Sequence, residues 1–121
     1  MYWRFEAGSS VSGQIVFSLR IKILTGEYEA GCQFPTVRNL ALELSVNPNT
    51  VQKALSVLEQ EGLLVSRTTV GRFVTEDKEV INSALKTFRE SFMQSALTQA
   101  NELGITAKEF ADFITERQAE K

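Results

Sequence analysis

Apolar residues recur at helical spacing in three segments of the first half of the chain. Within each segment they stand three and four residues apart, which places them on one face of an α-helix. The three faces are formed by Ile15, Leu19 and Ile23, by Val37, Leu40, Ala41 and Leu44, and by Val51, Ala54, Leu55 and Leu58. The pattern predicts three short amphipathic helices, preceded by an extended lead-in over residues 1–9.

Polar cap residues and glycines mark where these helices begin and end. A Ser, Thr or Asn side chain can accept a hydrogen bond from a free N–H at a helix start, and proline suits the first helical position. The predicted start signals are Ser10 or Ser12, Pro35–Thr36 and Asn47–Pro48. Gly26 and Gly62 are expected to end the first and third helices. Only a short turn, Ser45 to Asn47, then separates the second helix from the third.

The second half of the chain combines a hairpin with two further helices. Two β-type runs, 63–66 and 72–75, flank a connection that contains Val70 and Gly71. A long helix is predicted from Asp77 to Gly104, and a capping box at 106–109 opens the last one. The long helix carries a stripe of Ile81, Leu85, Phe88, Phe92 and Ala96, and the last helix directs Phe110, Phe113 and Ile114 inward. We therefore predict a mainly α fold with a small β-wing: a winged helix-turn-helix domain, residues 1–75, and a helical tail, residues 76–121.

Composition excludes several kinds of chemistry. Hydrophobic residues make up 43% of the chain and charged residues 23%, as in ordinary globular proteins. The chain has no histidine, one cysteine and no glycine-rich phosphate loop, which disfavours an enzyme and a Cys/His zinc site. We expect no catalytic residues, no metal and no cofactor. Cys32 could be a redox sensor, but no neighbouring cation activates its thiol, which favours a half-buried structural cysteine.

Charge is distributed unevenly along the chain. The net charge is −2, yet residues 1–75 carry seven basic and six acidic side chains, whereas residues 76–121 carry six and nine. The acidic excess therefore lies in the tail, and any affinity of the first domain for DNA should depend strongly on salt. No apolar run is long enough for a membrane span and the first residues do not form a signal peptide, so we expect a cytoplasmic protein.

The third predicted helix has the properties of a DNA-reading helix. Its apolar face would be buried, which leaves Asn49, Gln52, Lys53 and Ser56 outside. Amide and ammonium groups suit base edges and phosphates, and the Thr50 hydroxyl in the first turn suits a phosphate. The same face could simply be solvated. The order of helix, short turn, helix and hairpin favours double-stranded DNA as the partner.

A set of motifs over about residues 12–75 resembles the GntR family of bacterial regulators. The family pattern runs roughly G-x-x-L-P-S-x-R-x-L-A, V-x-x-x-T-V-x-x-A, L-x-x-x-G-L and G-x-F-V. The matching residues are Gly31, Phe34–Ala41, Val46–Val51, Ala54, Leu58–Leu63 and Gly71–Val74. The short helical tail and the string Asn47-Pro48-Asn49-Thr50 are similar to the YtrA-type subfamily, whose tail serves dimerisation.

The resemblance implies roles for individual residues. The DNA-binding set that it and the helix pattern together predict is Thr36, Arg38, Asn47, Asn49, Thr50, Gln52, Lys53, Gly71 and Arg72. Thr36 and Thr50 match phosphate-contacting positions, and Gly71 matches the wing tip. Two departures stand out: Phe34 replaces a leucine, and the wing is less basic than in many relatives, which implies weaker minor-groove contact.

The tail allows two interpretations. It could form an effector pocket, or it could pair two subunits. Its size favours a dimer interface, because a pair of short helices buries little on its own, and the predicted interface residues are Leu85, Phe88, Phe92, Phe110 and Phe113. We predict a homodimeric DNA-binding transcriptional regulator, most simply a repressor on a palindromic operator. The alternative is a winged-helix module for protein–protein contact, and the sequence identifies neither an operator nor an effector.

Overall fold

The computed structural model describes residues 10–67 and 69–119. The lead-in expected for residues 1–9 lies outside this range. The elements follow one another as α1 (Val11–Leu24), α2 (Val37–Leu44), α3 (Pro48–Gln60), β1 (Leu64–Arg67), β2 (Gly71–Val74), α4 (Lys78–Glu102) and α5 (Ala107–Ala119). The predicted mainly α fold with a small β-wing is confirmed.

Local capping contacts set the helix starts. The Ser10 hydroxyl accepts a hydrogen bond from the backbone N–H of Gly13 at 3.0 Å, so Ser10 caps α1 and Ser12 lies inside the helix. Asp77 Oδ1 accepts from the N–H of Glu79 at 3.0 Å at the start of α4. These contacts satisfy N–H groups that have no partner within the helix.

The core of the first domain lies around α3, which packs against α1, α2 and β1. Its apolar residues Val51, Ala54, Leu55 and Leu58 are completely buried. Burying a side chain of leucine size contributes about 1.5–3 kcal/mol relative to leaving it exposed. The predicted face of α2 is only partly confirmed: Leu40 and Ala41 are buried, but Leu44 is 41% exposed. Leu44 is the last residue of α2, and the chain turns away after it through Ser45, which has a left-handed backbone (φ 57°).

The wing is an antiparallel pair with Leu64 opposite Val74 and Arg67 opposite Gly71. The sequence pattern had predicted the strands at 63–66 and 72–75, so each prediction was wrong by one residue. Leu63 and Thr75 lie just beyond the ladder and are joined by one hydrogen bond, from the Thr75 N–H to the Leu63 carbonyl at 3.0 Å.

The connector between α1 and α2 extends this sheet, which the sequence pattern did not predict. Backbone hydrogen bonds of 2.8–3.0 Å join Gly31, Cys32 and Phe34 to β2. Gln33 forms an isolated antiparallel bridge with Phe73. The connector is therefore an ordered edge of the wing, and it leads directly into the start of α2.

The described part of the chain divides into two compact units, one that ends at Leu85 and one that begins at Lys86. The division falls within α4, whereas the sequence places the functional boundary after residue 75. In the second unit, the Ile105 N–H donates to the Ala100 carbonyl at 2.9 Å where α4 ends. The predicted capping box of α5 is confirmed, because Thr106 and Glu109 each accept a hydrogen bond from the other's backbone N–H, at 3.1 and 2.9 Å.

Within the described ranges, the structure contains no helix with the length and apolar character needed to cross a membrane.

Candidate nucleic-acid interface

The face of α3 opposite the core presents a row of polar side chains. Asn49, Gln52 and Lys53 are exposed, and Thr50 and Ser56 are half-buried beside them. Gln52 Nε2 donates to the Ser56 hydroxyl at 3.3 Å, which leaves the carbonyl oxygen of Gln52 available as an acceptor. Amide, ammonium and hydroxyl groups on one exposed helix face can reach both base edges and phosphates.

The start of α3 is fixed by its own sequence. Asn47 has an extended backbone and its side-chain oxygen accepts from the N–H of Asn49 at 2.7 Å, while Pro48 occupies the first helical position. Proline there removes an N–H that would otherwise lack a partner. Asn49 and Thr50 are thereby held in the first turn, where the helix dipole favours an anionic ligand.

The start of α2 presents a cation. The Thr36 hydroxyl accepts from the N–H of Asn39 at 3.1 Å and so caps α2, and its own O–H can still donate. Arg38 follows in the first turn and is exposed. Over residues 10–67 and 69–119, no carboxylate forms an ion pair with Arg38 or with Lys53. Both side chains are therefore available to a phosphate or a base.

The wing approaches the start of α2 across a cleft of about 290 Å³, lined among others by Thr36, Gly71 and Arg72. Gly71 has φ 114°, a conformation that other residues rarely adopt. Gln33 Nε2 donates to the Val70 carbonyl at 2.9 Å, which holds the turn of the wing to the connector. The Arg67 guanidinium lies 4.7 Å from the centre of the Phe73 ring.

Arg72 is engaged within the protein. Its Nε donates to Glu59 Oε1 at 2.6 Å, and the Ser66 hydroxyl donates to Glu59 Oε2 at the same distance. These hydrogen bonds, from Ser66 first and then from Arg72, hold the pKa of the Glu59 carboxyl below its ordinary value. The structure thus places Arg72 at the cleft, with its guanidinium paired to a carboxylate at the C-terminal end of α3.

A second ion pair joins α3 to α1. Arg20 donates to both oxygens of Glu61, the residue that follows α3, through Nε at 3.0 Å and through Nη2. The sequence reasoning missed Arg20, Gln33, Glu59 and Glu61. One signal was present: carboxylates at the C-terminal end of a helix are disfavoured by the helix dipole, so two of them there indicate partners from elsewhere.

The five residues predicted for dimerisation lie on α4 and α5. In the first unit, Leu85 is half-buried. In the second unit, Phe88 and Phe110 are half-buried, whereas Phe92 and Phe113 are 51% and 54% exposed. Ile114, which was expected to point inward, is 48% exposed.

Helix α3 buries its apolar side and exposes a polar face. The preceding helix presents an arginine at its start, and a wing follows α3. Together these elements define a winged helix-turn-helix protein that binds DNA and regulates transcription. The model of the family described as "Bacterial regulatory proteins, gntR family" matches residues 11–74, more than half of the chain. The chain therefore belongs to the GntR family and is a transcriptional regulator, not an enzyme.

Three similar proteins align with this chain over nearly its whole length. The transcriptional regulator YhcF of Bacillus subtilis is 27% identical over 111 residues, 92% of either chain. The transcriptional repressor YtrA of the same organism is 28% identical over 116 residues, covering 95% of this chain and 89% of YtrA. A solved structure of a GntR family transcriptional regulator from Listeria monocytogenes superposes with a TM-score of 0.83 at 29% identity, covering 93% of this chain and 98% of that one.

Proposed function

We propose that the protein is a homodimeric repressor that binds a palindromic operator. The observation that carries this proposal is the division of α3 into a fully buried apolar face and an exposed face of Asn49, Gln52 and Lys53. Such a helix can enter the major groove while its other side anchors it in the domain.

The roles of the DNA-binding residues follow from their chemistry. Gln52 and Asn49 can bind adenine through their amides, and Lys53 can bind guanine or a phosphate. Arg38 and the hydroxyls of Thr36 and Thr50 suit phosphates at the starts of the two helices. Asn47 positions the first turn of α3. Gly71 and Arg72 contribute through the wing, where the open backbone at Gly71 allows close approach.

Exposed apolar residues of the tail support dimerisation. The second unit exposes the large apolar side chains of Phe92, Met93, Leu97, Leu103, Phe113 and Ile114. A run of exposed large apolar side chains on so short a segment indicates an interaction surface. A second copy of the same tail is the simplest partner, because a twofold dimer would present two copies of α3 to a palindrome.

Repression is the regulatory outcome that the similarity to YtrA supports, since that relative is a repressor. A dimer bound over a promoter would exclude RNA polymerase from the same DNA. A protein that acts on chromosomal DNA works where that DNA lies, so we place this one in the bacterial cytoplasm.

Selection of random duplexes by the purified protein tests the proposal. We expect an inverted repeat with half-sites about one helical turn apart or a multiple of it. Placed over a reporter promoter, that sequence should lower expression when the protein is present. Recovery of no preferred sequence would contradict specific DNA binding and favour a protein–protein module, and higher expression would contradict repression.

A further inference from the structure

Glu59, in the last turn of α3, is bound through both carboxylate oxygens by residues of the wing. Arg72 Nε and the Ser66 hydroxyl each donate to it at 2.6 Å. Ser66 belongs to β1 and Arg72 to β2, and the two stand directly opposite each other in the strand register. One side chain of α3 therefore ties both strands of the wing to this helix.

The environment of the pair makes these contacts strong. The side chains of Arg72 and Glu59 are only 18% and 28% exposed, so water and salt screen them less than a surface pair. Hydrogen bonds to an ionised carboxylate are roughly twice as strong as neutral ones. The last turn of α3 holds no basic residue of its own, so the compensation for this carboxylate comes from the wing.

We propose that Glu59 is a positioning residue for DNA binding, which fixes the wing relative to the exposed face of α3, and that Arg72 acts through Glu59 instead of binding a phosphate. The proposal rests on the DNA-binding surface described under the proposed function. Gln33 holds the turn of the wing through Val70, so Glu59 and Gln33 fix the wing near its middle and at its turn. A wing held in this way meets DNA without having to be ordered first, which lowers the cost of binding.

The negative charge of Glu59 and its proposed positioning role predict opposite effects of Glu59→Gln on the affinity for DNA. Glu59→Gln removes a negative charge from the DNA-binding domain and would free the Arg72 guanidinium, so by charge alone it strengthens DNA binding. If Glu59 positions the wing, the same change weakens binding, because an amide holds the guanidinium less firmly than a carboxylate does. The direction in which Glu59→Gln changes the DNA affinity therefore distinguishes an Arg72 that binds a phosphate from one that acts through Glu59.

The experiment measures the affinity of Glu59→Gln, Arg72→Gln and the double variant for a duplex selected by the wild-type protein, at salt concentrations from about 50 to 200 mM. Each single variant should lose affinity on the order of tenfold. The double variant should bind about as well as either single variant, because the two residues act as a unit. Arg72→Gln should keep the wild-type slope of log affinity against log salt, since no phosphate contact is lost.

Lys53→Gln is the matched control, because it removes a cation from the proposed DNA contact. Its slope should fall by about 1. Ser66→Ala removes only the hydrogen bond to Oε2 of Glu59, and its DNA affinity should fall by a smaller factor. It replaces Glu59→Gln as the test if circular dichroism shows that Glu59→Gln does not fold. Wild-type or tighter binding by Glu59→Gln or Ser66→Ala, or a slope reduced by about 1 in Arg72→Gln, would overturn the positioning role. An unchanged slope in Lys53→Gln would count instead against the proposed surface.

Discussion

The side-chain oxygen of Asn47 accepts a hydrogen bond from the backbone N–H of Asn49 at 2.7 Å, and this contact fixes the first turn of α3. The residue that caps the helix is thus also one that we place at the DNA. Two substitutions separate these roles. Asn47→Ala removes the cap and should lower the free energy of unfolding by about 1 kcal/mol.

Asn47→Asp keeps the capping oxygen but brings a negative charge beside the proposed phosphates. Its stability in urea should equal or exceed that of the wild type, because an anion suits a helix start. Its affinity for the selected duplex should nevertheless fall. Wild-type affinity for Asn47→Asp would remove Asn47 from the interface and leave it only the capping role.

Arg38→Ala tests the start of α2. Arg38 is exposed, so its loss should leave the melting temperature almost unchanged while weakening operator binding by about 1–3 kcal/mol. Arg89→Ala is the control, since it removes an equal charge from an exposed position on α4. Fluorescence anisotropy with labelled duplex measures both. Equal effects of the two variants would mean that Arg38 contributes only net charge.

Phe92→Glu tests the tail. Because Phe92 is half exposed in the single chain and we place it in a subunit interface, a charge there would be buried without a partner. Sedimentation should show a shift from dimer to monomer, and operator affinity should fall because the two half-sites are no longer linked. Ser91→Glu adds the same charge at the neighbouring exposed position and should remain dimeric. A wild-type protein that sediments as a monomer would contradict the dimer.

The pair of Glu59 and Arg72 predicts a pH dependence of stability. Since the pKa of Glu59 is lowered in the folded protein, its contribution is present above the ordinary glutamate pKa of about 4.3 and is lost as the pH falls through the folded value. The wild type should therefore be more stable than Glu59→Gln at neutral pH, and the difference should shrink under acid. Urea unfolding at several pH values measures it. A difference that is constant with pH would show that the carboxylate charge plays no part.

Features that depend on nearby residues could be predicted from the sequence. The caps at Ser10, Thr36 and Asn47 bond to backbone groups two or three residues away, and the buried face of α3 follows from spacing alone. The bounds of the two strands could not be fixed to the residue, because Leu63 and Thr75 still share a hydrogen bond outside the ladder.

Contacts between distant parts of the chain were not predictable. Arg20 and Glu61 stand 41 positions apart and Glu59 and Arg72 stand 13 apart, so no local pattern joins them. The role of Arg38 came from the family resemblance, because an exposed arginine on a helix is by itself only a surface charge. The connector at 31–34 lacked the alternation that marks a strand, and its pairing with β2 appears only in the fold.

The most direct test of the central claim compares the affinity of the wild-type protein for the selected duplex with that for a scrambled duplex of equal length and composition, over a range of salt. The exposed face of α3 should give a clear preference for the selected duplex. Log affinity should fall steeply and linearly with log salt, as phosphate contacts require. Equal affinity for both duplexes together with a flat salt dependence would contradict the assignment of α3 and the start of α2 as a sequence-reading DNA surface.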